Sequence, residues 1–296
     1  MHKSALPFLI LSLATLFLPL SAQRTPLKSN PTSEQQTPAT PSITAPPQEN
    51  RSSPSSSAAE PKKNQKKAEN EPPTEPPKRV NVRWYGHSFI HLTTTTGVRI
   101  SIDPYGESTI TYPFPPKLSA DVVLISNESD AYSAAERIFG SPLVFRSITS
   151  IGLNRASGFT FKGVQSFKDR DKNQRSGMNT IYTFTLDEIR FAHLGCLGHP
   201  LDSRLREQIG FVDVLFVPVG LKSLAVEEWR RIAKELQARI IVPITYKSNF
   251  NANLDLRSVE DFIQGETLVI PLKVDQFEIS REELPSQPAI YIPQYP

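Results

Sequence analysis

The stretch from residue 23 to residue 80 limits what this chain can fold into. It holds 12 of the chain's 27 prolines and no aromatic residue, and Ser, Thr, Gln, Lys and Glu fill most other positions. Such a segment buries too little apolar surface to offset the entropy that is lost on ordering. We therefore predict a disordered Pro/Ser/Lys-rich linker over residues 23–79 and one folded domain with a sizeable core over residues 80–284.

The charges of the chain divide at the same boundary. The whole chain has a formal net charge of +3, but the part after residue 80 has 23 basic and 24 acidic residues. A nucleic-acid-binding domain typically presents a basic face, so the composition predicts no nucleic-acid partner. The Lys-rich stretch 62–67 leaves one alternative open, in which the linker contacts cell wall or membrane and the domain is its cargo.

The first 22 residues resemble a secretory signal peptide. A short basic region precedes an apolar run over residues 5–20, and the small residues Ser21 and Ala22 follow it. The run has about 16 residues with two prolines, which is short for a membrane span of about 20 residues. We predict a signal peptide over residues 1–22 and an exported protein that is secreted, periplasmic or held in the cell envelope. An uncleaved N-terminal anchor is the alternative, and it is the only membrane contact that we expect.

After residue 77 the pattern changes to strands, and later to strands that alternate with helices. Hairpins followed by this alternation predict mixed sheets with helices packed outside. The predicted helices cover residues 133–139, 201–208, 226–236 and 257–263, and the clearest strands cover 80–85, 122–125, 212–217, 239–244 and 267–272. Residues 285–296 are predicted as a Pro-rich C-terminal tail, either an extended strap or a partner-binding segment.

Several segments, in chain order, resemble the metallo-β-lactamase superfamily. The resemblance is strongest to the branch that contains lactonases and phospholipid-processing hydrolases. The segments are Val-Arg-Trp-Tyr-Gly-His-Ser-Phe at 82–89, Ile-Ser-Ile-Asp-Pro-Tyr at 100–105, Asp-Val-Val-Leu-Ile-Ser at 121–126, Ser-Gly-Met-Asn-Thr-Ile at 176–181, His-Leu-Gly-Cys-Leu-Gly-His-Pro-Leu at 193–201, Val-Asp-Val-Leu-Phe-Val-Pro-Val-Gly at 212–220 and Val-Pro-Ile-Thr-Tyr-Lys at 242–247. The resemblance implies an α/β (α+β) fold, a four-layer αββα sandwich, with a zinc-binding cleft at one edge between the sheets.

The positions that hold zinc in this family carry other residues here. The family motif His-x-His-x-Asp-His and three later ligands match Asn127, Ser129, Ala131, Tyr132, Lys168, Cys196 and Thr245. A register shifted by one residue would place Asp130 at the aspartate position but supplies no histidine. Neutral oxygen donors suit a borderline-soft ion poorly, alanine offers no donor, and an ammonium group repels a dication. The resemblance implies zinc for the family, and the substitutions predict no metal and no other cofactor for this chain.

Two residues leave a catalytic alternative open. Cys196 and His199 are three residues apart, and a thiol beside a base is the arrangement of a metal-free nucleophilic site. Together with His87 and Asp103 they would form a relocated metal site. We expect instead that the histidines are structural and that Cys196 is buried and inert.

The sequence therefore predicts an exported pseudohydrolase, a catalytically inactive domain that acts in binding or in envelope interaction. Its partner is an unknown protein, a cell-wall component or a small molecule. The alternative is a hydrolase with an atypical metal set or with a site built from Cys196 and His199.

Overall fold

The computed structural model describes residues 76–172 and 177–295. The predicted signal peptide, nearly all of the predicted linker and Ser176 lie outside the described residues. Among the described residues, no helix combines the length and the apolar character that crossing a bilayer requires.

The strands of the described chain form two mixed sheets. The first contains β1 (Arg79–Trp84), β2 (Ile90–Thr93), β3 (Arg99–Ile102), β4 (Val122–Leu124), β5 (Leu143–Phe145) and β13 (Gln276–Ser280). The second contains β6 (Gly152–Ala156), β7 (Phe159–Phe167), β8 (Met178–Leu186), β9 (Ile189–His193), β10 (Val214–Val217), β11 (Ile240–Pro243), β12 (Val269–Pro271) and β14 (Ala289–Ile292). The strand orders are β13-β1-β2-β3-β4-β5 and β12-β14-β11-β10-β9-β8-β7-β6.

The helices pack against the eight-stranded sheet. They are α1 (Ser203–Ile209), α2 (Val226–Glu235) and α3 (Val259–Ile263), and each begins and ends within two residues of a predicted helix. Leu205, Trp229 and Phe262 of these helices belong to one apolar core, which they share with the eight-stranded sheet. A larger core contains side chains of both sheets and fills the space between them. The predicted α/β sandwich is confirmed.

The burial pattern of the strands follows from their place in the sheets. Along β1, Val80, Val82 and Trp84 are buried while the residues between them are half-buried, as expected for a strand with one face on the core. Every residue of β10 and of β11 is buried, because apolar side chains cover both faces of these parallel neighbours.

The helix predicted over residues 133–139 is wrong. Only a 3₁₀ turn, Ala135–Arg137, forms there. The backbone N–H of Phe139 donates to the carbonyl of Leu118, and Phe139 forms a parallel bridge with Ser119. This pairing with a distant segment replaces the local hydrogen bonds that a longer helix needs, so tertiary contacts override the helical spacing.

The C-terminal segment belongs to the domain, whereas the sequence prediction ended the domain at residue 284. Strand β14 lies between β11 and β12 and is parallel to both. Ala289 and Ile290 are buried in it. The flanking prolines Pro288 and Pro293 make the segment look like a tail, but the strand needs no hydrogen-bonding N–H at these two positions.

Asp213, just before β10, ties three segments together. Its side chain is fully buried and accepts hydrogen bonds from the backbone N–H, Nε and Nη2 of Arg190, each at 2.9 Å. Nη1 of Arg281, which follows β13, donates to the same carboxylate at 2.9 Å. The carboxylate therefore joins β9, β10 and the end of β13 through charge-assisted bonds, the stronger class of hydrogen bond.

We predict that Asp213→Ala lowers the free energy of unfolding by about 3 kcal/mol, because it leaves a partly buried backbone N–H and two guanidinium groups without their acceptor. Urea denaturation measures the change. The control Arg281→Met removes one bond of the four from a half-exposed arginine and should cost less than about 1 kcal/mol. Equal losses in the two variants would contradict the role assigned to Asp213.

Candidate cleft at the edge of the sandwich

The loops that follow β1, β3, β4, β9 and β11 meet the start of β8 at one edge of the sandwich. The backbone N–H of Thr180 in β8 donates to the carbonyl of Ser126 after β4 at 2.8 Å, which joins the two sheets. The backbone N–H of Thr245, after β11, donates to the carbonyl of His87 at 2.8 Å. The structure thus brings together the segments that the family resemblance places around its cleft.

Asp103 lies at the centre of this edge and is fully buried. Its Oδ1 accepts from the backbone N–H of Ser126 at 2.6 Å, and its Oδ2 accepts from Ser126 Oγ at 2.6 Å and from Ser88 Oγ at 3.1 Å. Burial raises the pKa of this carboxyl to about 7, although the three hydrogen bonds favour the charged form. Asp103 therefore holds the loops after β1 and β4 against the end of β3.

His193 lies beside this carboxyl as a neutral ring. Its Nδ1 accepts from the backbone N–H of Gly195 at 3.1 Å, so the proton is on Nε2, which donates to the carbonyl of Ser88 at 3.1 Å. Burial lowers the pKa of His193 to about 4. The distance of 3.8 Å from Nδ1 to Asp103 Oδ2 is therefore a contact with an uncharged ring and no ion pair.

Three of the substituted metal positions meet in space. Tyr132 is buried, and its phenol lies near the side chains of Cys196 and Thr245. Thr245 Oγ1 is buried and has no hydrogen-bond partner among the described residues. Burial raises the pKa of Tyr132 well above its usual value. Burial also raises the pKa of the Cys196 thiol, although the positive charge of Lys168 acts in the opposite direction. Both groups therefore keep their protons at neutral pH.

Asn127 and Ser129, two further metal positions, bind each other. Asn127 Oδ1 accepts from the backbone N–H of Ser129 at 3.0 Å and from its Oγ at 2.6 Å. Asn127 Nδ2 is buried without a hydrogen-bond partner among the described residues. Ala131, the fourth residue of the substituted motif, is buried and has no polar side-chain atom.

His87 packs against this cluster. Its ring centroid is 5.1 Å from that of Tyr132, and neither ring nitrogen has a hydrogen-bond partner among the described residues. Burial lowers the pKa of His87 to about 3, so the ring is neutral. His87 is one of the residues of the relocated metal site that the sequence left open. The ring next to it is the phenol of Tyr132, which offers no anionic oxygen to a metal ion.

The residues of this edge do not fit a zinc ion. Asn127 Oδ1 is already occupied by two donors, and the phenol and the thiol are protonated groups that contact each other. The ammonium group of Lys168 acts on the same thiol. Within the described ranges, no three His, Cys, Asp or Glu side chains are grouped so that they could hold a metal ion.

The structure does not assemble Cys196 and His199 into a nucleophile and its base. His199 Nε2 accepts from the backbone N–H of Phe167 at 3.2 Å, and Nδ1 donates to the carbonyl of Pro200 at 2.9 Å. Burial lowers the pKa of His199. Because both ring nitrogens are bound to the backbone, neither is free to take a proton from the thiol.

Three residues outside the predicted set, Asn179, Ser88 and Ser126, position the edge. Asn179 is fully buried, donates to Ser166 Oγ at 2.8 Å and to the carbonyl of Leu194 at 2.9 Å, and accepts from the backbone N–H of Cys196 at 2.7 Å. Ser88 and Ser126 hold Asp103. Asn179, Ser88 and Ser126 each lie in a segment that carries the family resemblance, and this placement was the available sequence signal.

Comparisons with known proteins point to one superfamily. A family model described as a beta-lactamase superfamily domain matches residues 81–245. A proposed zinc-dependent hydrolase of the metallo-beta-lactamase superfamily from Thermotoga maritima is 27% identical, with a TM-score of 0.59 over 72% of this chain and 97% of that chain. A search of curated proteins found no match.

Two further solved structures are similar at a lower level. The metallo-beta-lactamase fold protein YhfI from Bacillus subtilis is 12% identical, with a TM-score of 0.45 over 74% of this chain and 98% of that chain. Igni18, a metallo hydrolase from Ignicoccus hospitalis, is 17% identical, with a TM-score of 0.45 over 57% of this chain and 83% of that chain.

The raised pKa of Asp103 predicts a pH dependence of stability. The native carboxyl keeps its proton up to about pH 7, whereas the unfolded one loses it near pH 4, so the contribution of this group falls as the pH rises through that window. Asp103→Asn removes the titration and retains a neutral polar group. Between about pH 5 and about pH 8, wild type should lose about 2 kcal/mol of unfolding free energy relative to Asp103→Asn.

Urea denaturation at several pH values measures this difference. The control Ser88→Ala removes the hydroxyl at 3.1 Å but leaves the buried carboxyl, so it should keep the pH dependence of wild type. A difference between wild type and Asp103→Asn that stays constant over the range would show that the carboxyl is ionised in the native protein throughout.

Proposed function

This chain belongs to the beta-lactamase superfamily, and from that premise we propose that it is an exported member that binds a partner and hydrolyses no substrate. One observation carries the proposal: Tyr132 is buried near Cys196 and Thr245, and the family resemblance assigns all three positions to metal ligands. The phenol ring of Tyr132 thus lies in the region where the family's chemistry needs a zinc ion. The fold is retained while the groups at the cleft are changed, which is why fold alone does not decide function.

The protonation of the edge supports the absence of hydrolysis. In this family a metal ion lowers the pKa of a bound water, and that water attacks the substrate. Here the thiol of Cys196 is protonated, and the rings of His87 and His193 are neutral at physiological pH. Asp103 has a pKa near 7, but its oxygens accept three hydrogen bonds and it is shielded from solvent. None of these groups is placed to activate a water molecule.

The metal content of the purified protein tests the proposal. After loading with zinc and manganese and desalting, we expect less than about 0.1 ion per chain, because the donors needed for stable binding are absent. Elemental analysis gives the number directly. About one or two ions per chain would overturn the assignment of the metal positions and with it the proposal.

A restored variant provides the matched control. It combines the substitutions Asn127→His, Ser129→His, Ala131→Asp, Tyr132→His, Lys168→His, Cys196→Asp and Thr245→His. Because these positions converge at one edge, the variant should gain about one or two ions per chain under the same loading. Circular dichroism shows whether it folds, and the wild-type measurement stands without it.

Hydrolysis assays distinguish the proposed binding role from the alternative, a hydrolase with an atypical site. Wild type should convert no lactone, β-lactam or phosphodiester substrate above the rate of buffer. An activity that survives chelation and disappears in Cys196→Ser and in His199→Ala would establish the metal-free hydrolase in place of the binding role.

Export is the second part of the proposal, and it rests on the sequence of residues 1–22 alone. Mass spectrometry of the chain recovered from the producing cell tests it. We expect a protein outside the cytoplasm that begins near residue 23. A chain that retains its N-terminal residues and fractionates with the cytoplasm would contradict export but leave the metal prediction untouched. The partner proposed is a protein, a cell-wall component or a small molecule, and no nucleic acid.

A further inference from the structure

Exposed apolar side chains concentrate in one short segment. Among the described residues, nine large hydrophobic side chains are strongly exposed, and six of them fall within residues 139–153. They are Phe139, Leu143, Val144, Ile148, Ile151 and Leu153, with exposed fractions from 40% to 78%. Single exposed hydrophobic residues are ordinary, but six within 15 residues of the chain indicate an interaction surface.

These side chains lie at one edge of the sandwich. Strand β5 is the edge strand of the six-stranded sheet and β6 is the edge strand of the eight-stranded sheet. The 3₁₀ turn Ser147–Ser150 connects them. We call residues 139–153 the apolar edge.

The apolar edge is poorly suited to the addition of another strand. Strand β5 has only three residues, and Pro142 just before it has no N–H to donate. Strand β6 carries the exposed Arg155 close to its end. Short strands, proline and charged residues are the features that prevent edge-to-edge pairing. The surface therefore offers apolar contact without the directional hydrogen bonds that a protein strand would use.

The charged residues near the apolar edge indicate what kind of surface would cover this edge. Between Glu136 and Asp169 the chain has no acidic residue and five basic ones. Two of the five have carboxylate partners, Arg137 with Glu107 and Arg146 with Glu128. The other three, Arg155, Lys162 and Lys168, form no ion pair with any described residue.

Two of these cations lie close to the apolar side chains. Lys162 is directly opposite Leu153 in the pairing of β6 with β7, and its Nζ donates to the carbonyl of Gln208. Arg155 follows two residues after Leu153 on the same strand. Apolar side chains bordered by uncompensated cations match a surface that is both apolar and anionic, and a second copy of this edge would bring like charges together.

We propose that the apolar edge docks on an anionic phospholipid bilayer. Phe139, Ile148 and Leu153 enter the boundary between headgroups and acyl chains, and Arg155 and Lys162 contact lipid phosphates. Binding of this kind grows with the buried apolar area and with the attraction to anionic lipid. The folded domain then contacts a membrane itself, in addition to any contact through residues 1–22.

A tryptophan placed in the edge tests the proposal in the full chain. The native Trp84 and Trp229 are buried, so the emission that lipid can quench in Ile148→Trp comes from position 148. Vesicles of phosphatidylglycerol with brominated acyl chains should quench it, and vesicles of phosphatidylcholine should quench it far less. The matched control is Val274→Trp, whose site is exposed between β12 and β13, the edge strands on the opposite side of the two sheets.

Variants of the native sequence give the strength of binding. Leu153→Gln combined with Phe139→Gln should weaken binding to phosphatidylglycerol vesicles by at least about tenfold. Arg155→Gln should weaken it about fivefold, and added salt should remove this difference. All three side chains are exposed, so folding should not change, and circular dichroism checks this.

Three results would overturn the proposal. The first is an unquenched Trp at position 148 while the chain still binds vesicles, which assigns binding to another segment. The second is a dimer that Leu153→Gln dissociates, with no lipid quenching, which makes the edge a protein interface. The third is no vesicle binding at all.

Discussion

The arrangement of the cleft depends on one buried carboxyl group. Asp103 accepts three hydrogen bonds from Ser88 and Ser126, and the carbonyl of Ser126 accepts from Thr180 in the other sheet. A buried carboxyl without these partners would be costly, and three loops without this common acceptor would not be held in place. Because burial raises its pKa to about 7, Asp103 stabilises the edge without a permanent buried charge in acidic and near-neutral conditions.

The groups around Asp103 are largely satisfied by one another. Asn127 binds Ser129, Asn179 binds the backbone of Cys196, and both nitrogens of His199 are bound to backbone atoms. Such a network rigidifies the edge, and it leaves few groups free to bind a substrate or an ion. The ring nitrogens of His87, Asn127 Nδ2 and Thr245 Oγ1 have no hydrogen-bond partner among the described residues, and the His87 ring lies against that of Tyr132. The interior of this cleft is thus built for stability, and the proposed interactions lie at the outer edge of the sandwich.

The substitutions and the exposed edge support one picture of the domain. The fold of a hydrolase superfamily provides two rigid sheets, and β5 and β6 end them on the side where apolar and basic residues are exposed. A rigid scaffold of this kind serves binding as well as catalysis, since function depends on the residues at a site and on their surroundings. The docking proposal and the metal proposal are independent, because they concern different residues.

The sequence by itself determined the superfamily, the α/β sandwich and most helices. Those features depend on hydrophobic periodicity over short stretches and on the order of motifs, and both can be read from the sequence directly. Only the tertiary structure decided that Tyr132 meets Cys196 and Thr245, that β14 pairs with β11, and that residues 139–153 lie at an open edge. The sequence of β5 is as apolar as that of the buried strand β4, so it does not show that β5 is an edge strand. Which strand lies at the edge of a sheet depends on contacts between distant segments.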